Sequence, residues 1–221
     1  MESQTLRQCR TTTNIDLISD DLLQNIVSRL PATSFAFAAC VSRSWNLVCG
    51  RLLCRPKLSS ACSLNHSLQA AVEEVVNKVL SEPIRPHFAI ASIGGYYEDS
   101  LGDALQLITA ALGTHVPVIT NLTDGIIERN ADSNKLYEVD WFHQDEEIDG
   151  IMLIVGFLPG LKVTLIPLLK QIQEPETFMI DEFVTDIREF STSVSGRSSP
   201  AAIIMFCYYC ACMGGVVDKL G

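Results

Sequence analysis

Positive charge is scarce in this 221-residue chain: 16 Lys and Arg stand against 26 Asp and Glu, for a net charge of −10. So acidic a balance argues against non-specific nucleic-acid binding and against a basic membrane-surface patch. Long apolar runs are missing as well. The longest, Ala201 to Met213, is shorter than the roughly 18 residues needed to cross a bilayer. The opening MESQTLRQCRTTTN has no apolar core, so no secretory signal is read there. A reducing compartment follows as the expectation, cytoplasmic and/or nuclear, with the eight cysteines as thiols. Also lacking are an HExxH run, a serine elbow and a Cys–His pairing, while His66, His87, His115 and His143 are scattered. No catalytic residue, cofactor or metal site is therefore nominated, and a non-catalytic protein is expected.

What the chain does have is an ordinary globular core composition, 48% hydrophobic and 19% charged. Its charge is unevenly placed: residues 1–62 hold seven Lys and Arg against four Asp and Glu, and residues 63–221 hold nine against twenty-two. That sign change divides the chain into two units.

The first unit is organised around Ile15 to Leu53. Residues 1–14 before it are polar and threonine-rich, and read as a disordered tail. Ser19 is placed to cap a helix, with Asp20 and Asp21 in the favourable first turn and Leu22, Leu23, Ile26, Val27 and Leu30 as its apolar stripe. Pro31 ends that helix. Thr33 or Ser34 can cap a second, Phe35 to Cys40, apolar enough to be buried all round. A third runs from about Ser42 to Leu53, with Val41, Trp45, Val48 and Leu52 on one side. Three short helices of about 40 residues are at the edge of independent stability, so this unit calls for a partner.

The run Leu17-Ile18-Ser19-Asp20-Asp21-Leu22-Leu23-Gln24-Asn25-Ile26-Val27-Ser28-Arg29-Leu30-Pro31, followed by Cys40-Val41-Ser42-Arg43-Ser44-Trp45, resembles an F-box. It departs from that pattern at Ile18-Ser19, where a proline is usual, and at Phe35 to Ala38, where leucines and a basic residue are common. The resemblance implies docking onto the Skp-type adaptor of a cullin–RING ubiquitin ligase. It implies contacts through Leu17, Ile18, Leu22, Leu23, Ile26, Leu30, Pro31, Val41 and Trp45, as apolar helix faces seated in a groove.

In the second unit, Ser63 to Leu80 reads as an amphipathic helix and Phe88 to Ile93 as a buried strand closed by Gly94-Gly95. A helix from about Ser100 ends at Gly113. Strands are expected at His115–Thr120, up to Arg129 after a turn at Asp124-Gly125, at Tyr137–Phe142 and at Ile151–Leu158. Leu161–Leu168 reads as the hairpin partner of the last of these, Glu176–Ser193 as a helix, and Ala201–Cys210 as a final strand. The expected fold is α+β: a three-helix unit, then a mixed α/β domain with a predominantly antiparallel sheet. The boundaries are 15–55 for the F-box, 56–86 for a linker and helix, and 87–221 for the α+β domain.

Phe88-Ala89-Ile90-Ala91-Ser92, the Leu105–Leu112 helix with Gly113, Pro117-Val118-Ile119-Thr120 with Gly125-Ile126-Ile127, and Gly156-Phe157-Leu158-Pro159-Gly160-Leu161-Lys162-Val163 together resemble the start of a FIST domain. Such regions are longer than residues 63–221, so a partial domain, from a truncated product or an incomplete gene model, is expected. The pairing implies recognition of a target protein or small ligand behind the F-box.

Other constellations read plainly. Gly94-Gly95 has no following Lys-Ser or Lys-Thr and serves as a strand-to-helix turn. Cys207, Cys210 and Cys212 lack a second ligand pair and read as buried thiols rather than a zinc site. Asp132 to Asp149 reads as a solvated acidic loop. Gly94, Gly95, Tyr96 and Gly125, at strand ends, are the candidate border of a small-ligand pocket. The function expected is a substrate-receptor subunit that binds the adaptor, through it a cullin, and an unknown target protein, without nucleic acid or membrane. The alternatives are a small-molecule sensor with a non-functional F-box, or a truncated non-functional product.

Overall fold

A computed structural model describes residues 18–94, 97, 100–140, 150–166, 179–197 and 214–220. The first three elements are helices: α1 (Asp20–Val27), α2 (Ala32–Ala39) and α3 (Arg43–Leu53). Serines start two of them. Ser19 Oγ accepts from the Leu22 amide at 3.3 Å, and Ser42 Oγ accepts from the Trp45 amide at 3.2 Å, each satisfying one orphan donor of a first turn. The expected Thr33 or Ser34 cap of α2 is not used. Pro31 stands at its N-cap, and the Ala32 amide donates to the Leu80 carbonyl at 3.0 Å. A carbonyl 48 positions away in sequence thus does the work of a capping side chain.

Leu23, Val27, Phe35, Ala38, Val48 and Cys49 form the core of this unit, with Ile18, Leu30, Trp45, Leu52 and Leu53 packed against it. The second helix is not buried all round: Phe35 is 3% exposed and Phe37 72%. Three helices this short cannot enclose both rings, which project from α2 about 200° apart.

The second unit contains β1 (Lys57–Ser63), α4 (Leu68–Val79), β2 (Phe88–Gly94), α5 (Leu101–Leu112), β3 (Val118–Leu122), β4 (Gly125–Arg129), β5 (Leu136–Asp140), β6 (Gly150–Phe157), α6 (Ile180–Ser195) and α7 (Gly214–Leu220). A four-stranded sheet runs in the order β1-β6-β2-β3, and β4 and β5 form a separate pair. β6 pairs antiparallel with both β1 and β2, β4 pairs antiparallel with β5, and only β2 and β3 are parallel. The parallel pair is joined through α5, the crossover such a connection requires. The α+β class with a mostly antiparallel sheet is the architecture found.

Two expectations are corrected. Residues 57–63, assigned to a linker and to the start of a helix, form an edge strand, and α4 begins only at Leu68, capped by Ser67. Leu58-Ser59-Ser60-Ala61-Cys62-Ser63 has weak intrinsic strand preference; seven residue pairs with β6 impose the conformation. Likewise, residues 161–166 are not a hairpin partner of β6. Both edges of β6 are already occupied, by β1 and by β2. The other boundaries shift by a few residues, except that β4 leaves the main sheet after the Thr123-Asp124 turn. The expected strand at Ala201–Cys210, with Cys207, Cys210 and Cys212, lies outside the described residues, as do the proposed tail and the acidic run 141–149.

One sheet face packs on α4 and α5. Leu153 of the central strand has alanine on both sides, Ala61 on β1 and Ala91 on β2. Small neighbours leave room for its isobutyl group and for Val72, Val75 and Val79 of α4 above it. The opposite face carries Cys62 and Met152 under Ile126 and Val139 of the β4–β5 pair. Gly156 lies further along this sheet, and the Phe88 ring occupies the space its side chain would fill: a Cβ would meet Phe88 Cζ at 2.4 Å.

Buried polar groups at one end of the sheet are satisfied together. Ser63, fully buried, donates from Oγ to Glu74 Oε2 at 2.5 Å, and Asn65 Nδ2 donates to Glu74 Oε1 at 2.8 Å. The Tyr97 hydroxyl donates to the Asn65 carbonyl. This cluster locks the β1–α4 connection to the segment after β2. It is a structural lock, because each polar group in it is used by another.

Candidate protein-docking surface

The three-helix unit is where inward and outward apolar residues separate. On α1, Leu23 and Val27 face the core while Leu22 and Ile26, four residues apart on the other side, are exposed. On α2, Phe35 and Ala38 face inward and Phe37 outward. Val41, in the following turn, is exposed, and on α3 Leu47 is exposed beside buried Val48 and Cys49. Five large apolar side chains therefore meet water on a unit whose core is already filled. Exposed apolar residues are ordinary when scattered; the five on this small unit are the candidate docking residues.

Polar contacts fix the helices that carry them. Arg51 Nη2 donates to Asp20 Oδ2 at 2.6 Å, joining α3 to the first turn of α1. Both partners are more than 60% exposed, so this pair orients more than it stabilises, at about 0–1 kcal/mol. Asn46 Nδ2 donates to the Ala39 carbonyl at 3.1 Å and closes the end of α2 onto α3. Burial pushes the Cys49 thiol above its ordinary value, so it behaves as a core side chain. Cys40 and Cys54 are exposed and free.

The residues expected to touch an adaptor fall into three groups. Leu22, Ile26, Pro31 and Val41 are exposed. Leu23 is buried, and Ile18, Leu30 and Trp45 pack against the same core, where they shape the surface from beneath. Leu17 lies outside the described residues. Phe37 and Leu47 are the outward residues that sequence reasoning missed. The alternating Phe35-Ala36-Phe37-Ala38 run offers no polar face from which to tell which ring points out.

The residues nominated for a ligand pocket resolve differently. Gly94 and Gly125 are at one end of the sheet: the Thr123 amide donates to the Ile93 carbonyl and Thr123 Oγ1 donates to the Gly125 carbonyl at 2.8 Å. Gly125 has a packing reason for its identity, since a Cβ would stand 2.5 Å from the Val139 carbonyl oxygen across the β4–β5 pair. Gly95 and Tyr96 lie outside the described residues. Among the described residues no group of three His, Cys, Asp or Glu could hold a metal, and no helix is long and apolar enough to cross a membrane.

Comparison with known proteins bears on both units. Residues 15–57 match the family model of the F-box domain. The chain is also 45% identical over 199 residues to the F-box/LRR-repeat protein At5g63520 of Arabidopsis thaliana, a match that takes in 87% of this chain. The chain spans 37% of that relative's length. A match of that extent cannot be carried by the three helices alone, so the likeness includes the α+β unit.

Proposed function

We propose that this chain is a substrate-receptor subunit of an SCF-type ubiquitin ligase. The three-helix unit docks a Skp-type adaptor and through it a cullin, and the α+β unit holds a target protein or a small ligand. Its contribution is proximity: it brings a target to transfer chemistry that other subunits perform, in the cytoplasm and/or nucleus. The observation that carries the reading is the outward set Leu22, Ile26, Phe37, Val41 and Leu47, on a segment matched by the F-box family and already in possession of its own core. Seating such side chains in an adaptor groove is the helix-in-groove mode of recognition. The α+β unit is read as FIST-like on the residues quoted above, with β1 added to its sheet.

The test is capture of a purified Skp-type adaptor by the wild-type chain and by a Leu22→Asp/Ile26→Asp variant. Both replaced side chains are exposed, so circular dichroism should show an unchanged fold, while adaptor retention falls at least tenfold. Failure of the wild-type chain to retain the adaptor refutes the proposal.

A further inference from the structure

A cavity of about 540 Å³ opens at the end of the sheet opposite Gly94. Its walls are the loop that follows β6 and the C-terminal half of α6, and His87, just ahead of β2, contributes to its floor. Gly94 stands at the far end of the same strand, seven residues from His87, or about 23 Å at strand rise. The two places are separate.

We propose that this cavity binds a small monocarboxylate with an apolar body. Its volume lies inside the range of about 300–1,000 Å³ typical of small-molecule sites. Phe190 and Val194 of α6 give it an apolar wall, and Thr164 places a hydroxyl on it, whereas the Ser193 hydroxyl already donates to the Phe190 carbonyl at 2.7 Å. Lys162 is the cation of the lining, which contains no Asp or Glu. Among the described residues Lys162, like Lys78 and Lys135, forms no ion pair, and Lys162 is the one of these on the cavity lining. In a chain of net charge −10, an unpaired ammonium at an apolar wall selects an anion over an amine. One ammonium with the Thr164 hydroxyl on the same lining matches a single negative charge. A phosphate dianion calls for a guanidinium fork or converging backbone amides, and the lining has no arginine.

His87 adds an independent sign of an incomplete site. Its Nδ1 is buried without a hydrogen-bond partner, while its ring rests on Phe157 with centroids 5.5 Å apart. Native structures seldom leave a buried polar atom unmade, and His87 is the lining residue of this cavity that carries such an atom.

This inference concerns the α+β unit and does not depend on adaptor docking. It is tested by titrating octanoate, octanamide and octylamine into the full chain, read by calorimetry and saturation-transfer NMR. Octanoate should bind saturably at one site, with octanamide at least tenfold weaker and octylamine undetected. Lys162→Glu should weaken octanoate at least tenfold, and Lys135→Glu, on the β4–β5 turn, should leave it unchanged. Phe190→Ala should weaken octanoate and octanamide alike. Equal binding of acid and amide, indifference to Lys162→Glu, or non-saturable uptake that shows mere adsorption to apolar surface would each overturn the proposal.

Discussion

Two phenylalanines separated by one residue should fail in opposite ways when truncated. Phe35 is 3% exposed, in contact with the core of the three-helix unit; Phe35→Ala removes a buried ring and leaves a cavity, at a cost of about 3–5 kcal/mol. Phe37 is 72% exposed, so Phe37→Ala should change folding stability by no more than about 0.5 kcal/mol. Its cost should appear in binding. Of roughly 200 Å² in a phenylalanine side chain, about 140 Å² remains to be buried, worth ~3.5 kcal/mol at about 25 cal/mol per Å² if all of it were covered. An adaptor that covers half gives about 2 kcal/mol, or a thirtyfold rise in Kd. Urea denaturation and calorimetric titration with a purified adaptor measure the two quantities on the same samples. Phe35→Ala should lower the denaturation midpoint, and Phe37→Ala should leave the midpoint in place and weaken binding. If Phe37→Ala binds as tightly as wild type, the outward ring is no part of the docking surface. If both variants are destabilised equally, the division of α2 into an inner and an outer side is refuted.

Other consequences follow from buried groups. Burial, reinforced by the Glu128 carboxylate, pushes the Cys62 thiol up to about 11 from an ordinary value near 9. Below pH 9 the thiol is neutral folded or unfolded and its contribution is intact; between pH 9 and 11 only the unfolded form ionises, so about 2–3 kcal/mol of stability should be lost. Urea denaturation at pH 8 and pH 10.5 should show that loss in wild type and a flatter dependence in Cys62→Ala; identical slopes would remove Cys62 as the cause. Alkylation with iodoacetamide at pH 8, resolved by peptide mass spectrometry, should label exposed Cys40 and Cys54 well before buried Cys49 and Cys62; equal rates would contradict the burial. Gly156→Ala forces a methyl against the Phe88 ring and Leu58 Cδ2 and should cost about 1–3 kcal/mol. Phe88→Ala in the same chain should return part of that loss, and strict additivity of the two changes would argue that they do not touch.

The elements legible in the sequence are those whose signals are local. Ser19 and Ser42 announce their helices because a cap needs only the amides of the next turn. Ala71, Val72, Val75, Val76 and Val79 announce the buried stripe of α4 by their spacing alone. β1 gives no such signal, since its serines and alanine become a strand only when β6, some 90 residues later, supplies the ladder. The exposed side of the three-helix unit was half legible for the same reason. An apolar stripe shows that a helix has a hidden side, and only packing decides that Leu23 is spent on the core while Leu22 remains outside. The cavity was not legible at all. His87, Lys162 and Phe190 come from three distant segments, and nothing in the order of residues brings them together.

The junction between the two units has a mechanical meaning. Only Cys54, Arg55 and Pro56 separate α3 from β1. The bond from the Ala32 amide to the Leu80 carbonyl crosses the junction, and Lys57 Nζ lies 2.8 Å from Glu82 Oε2 and 3.2 Å from the Pro83 carbonyl oxygen beside it. A receptor hung on a long tether would sweep its cargo through a large volume. This chain has almost no tether, so in the proposed role the direction in which a bound target points would be set by the angle at which the three helices sit on an adaptor. In that role the arrangement would serve as a bracket with a fixed reach, and the face a target presents would be a matter of geometry, written into three residues of backbone and one borrowed carbonyl.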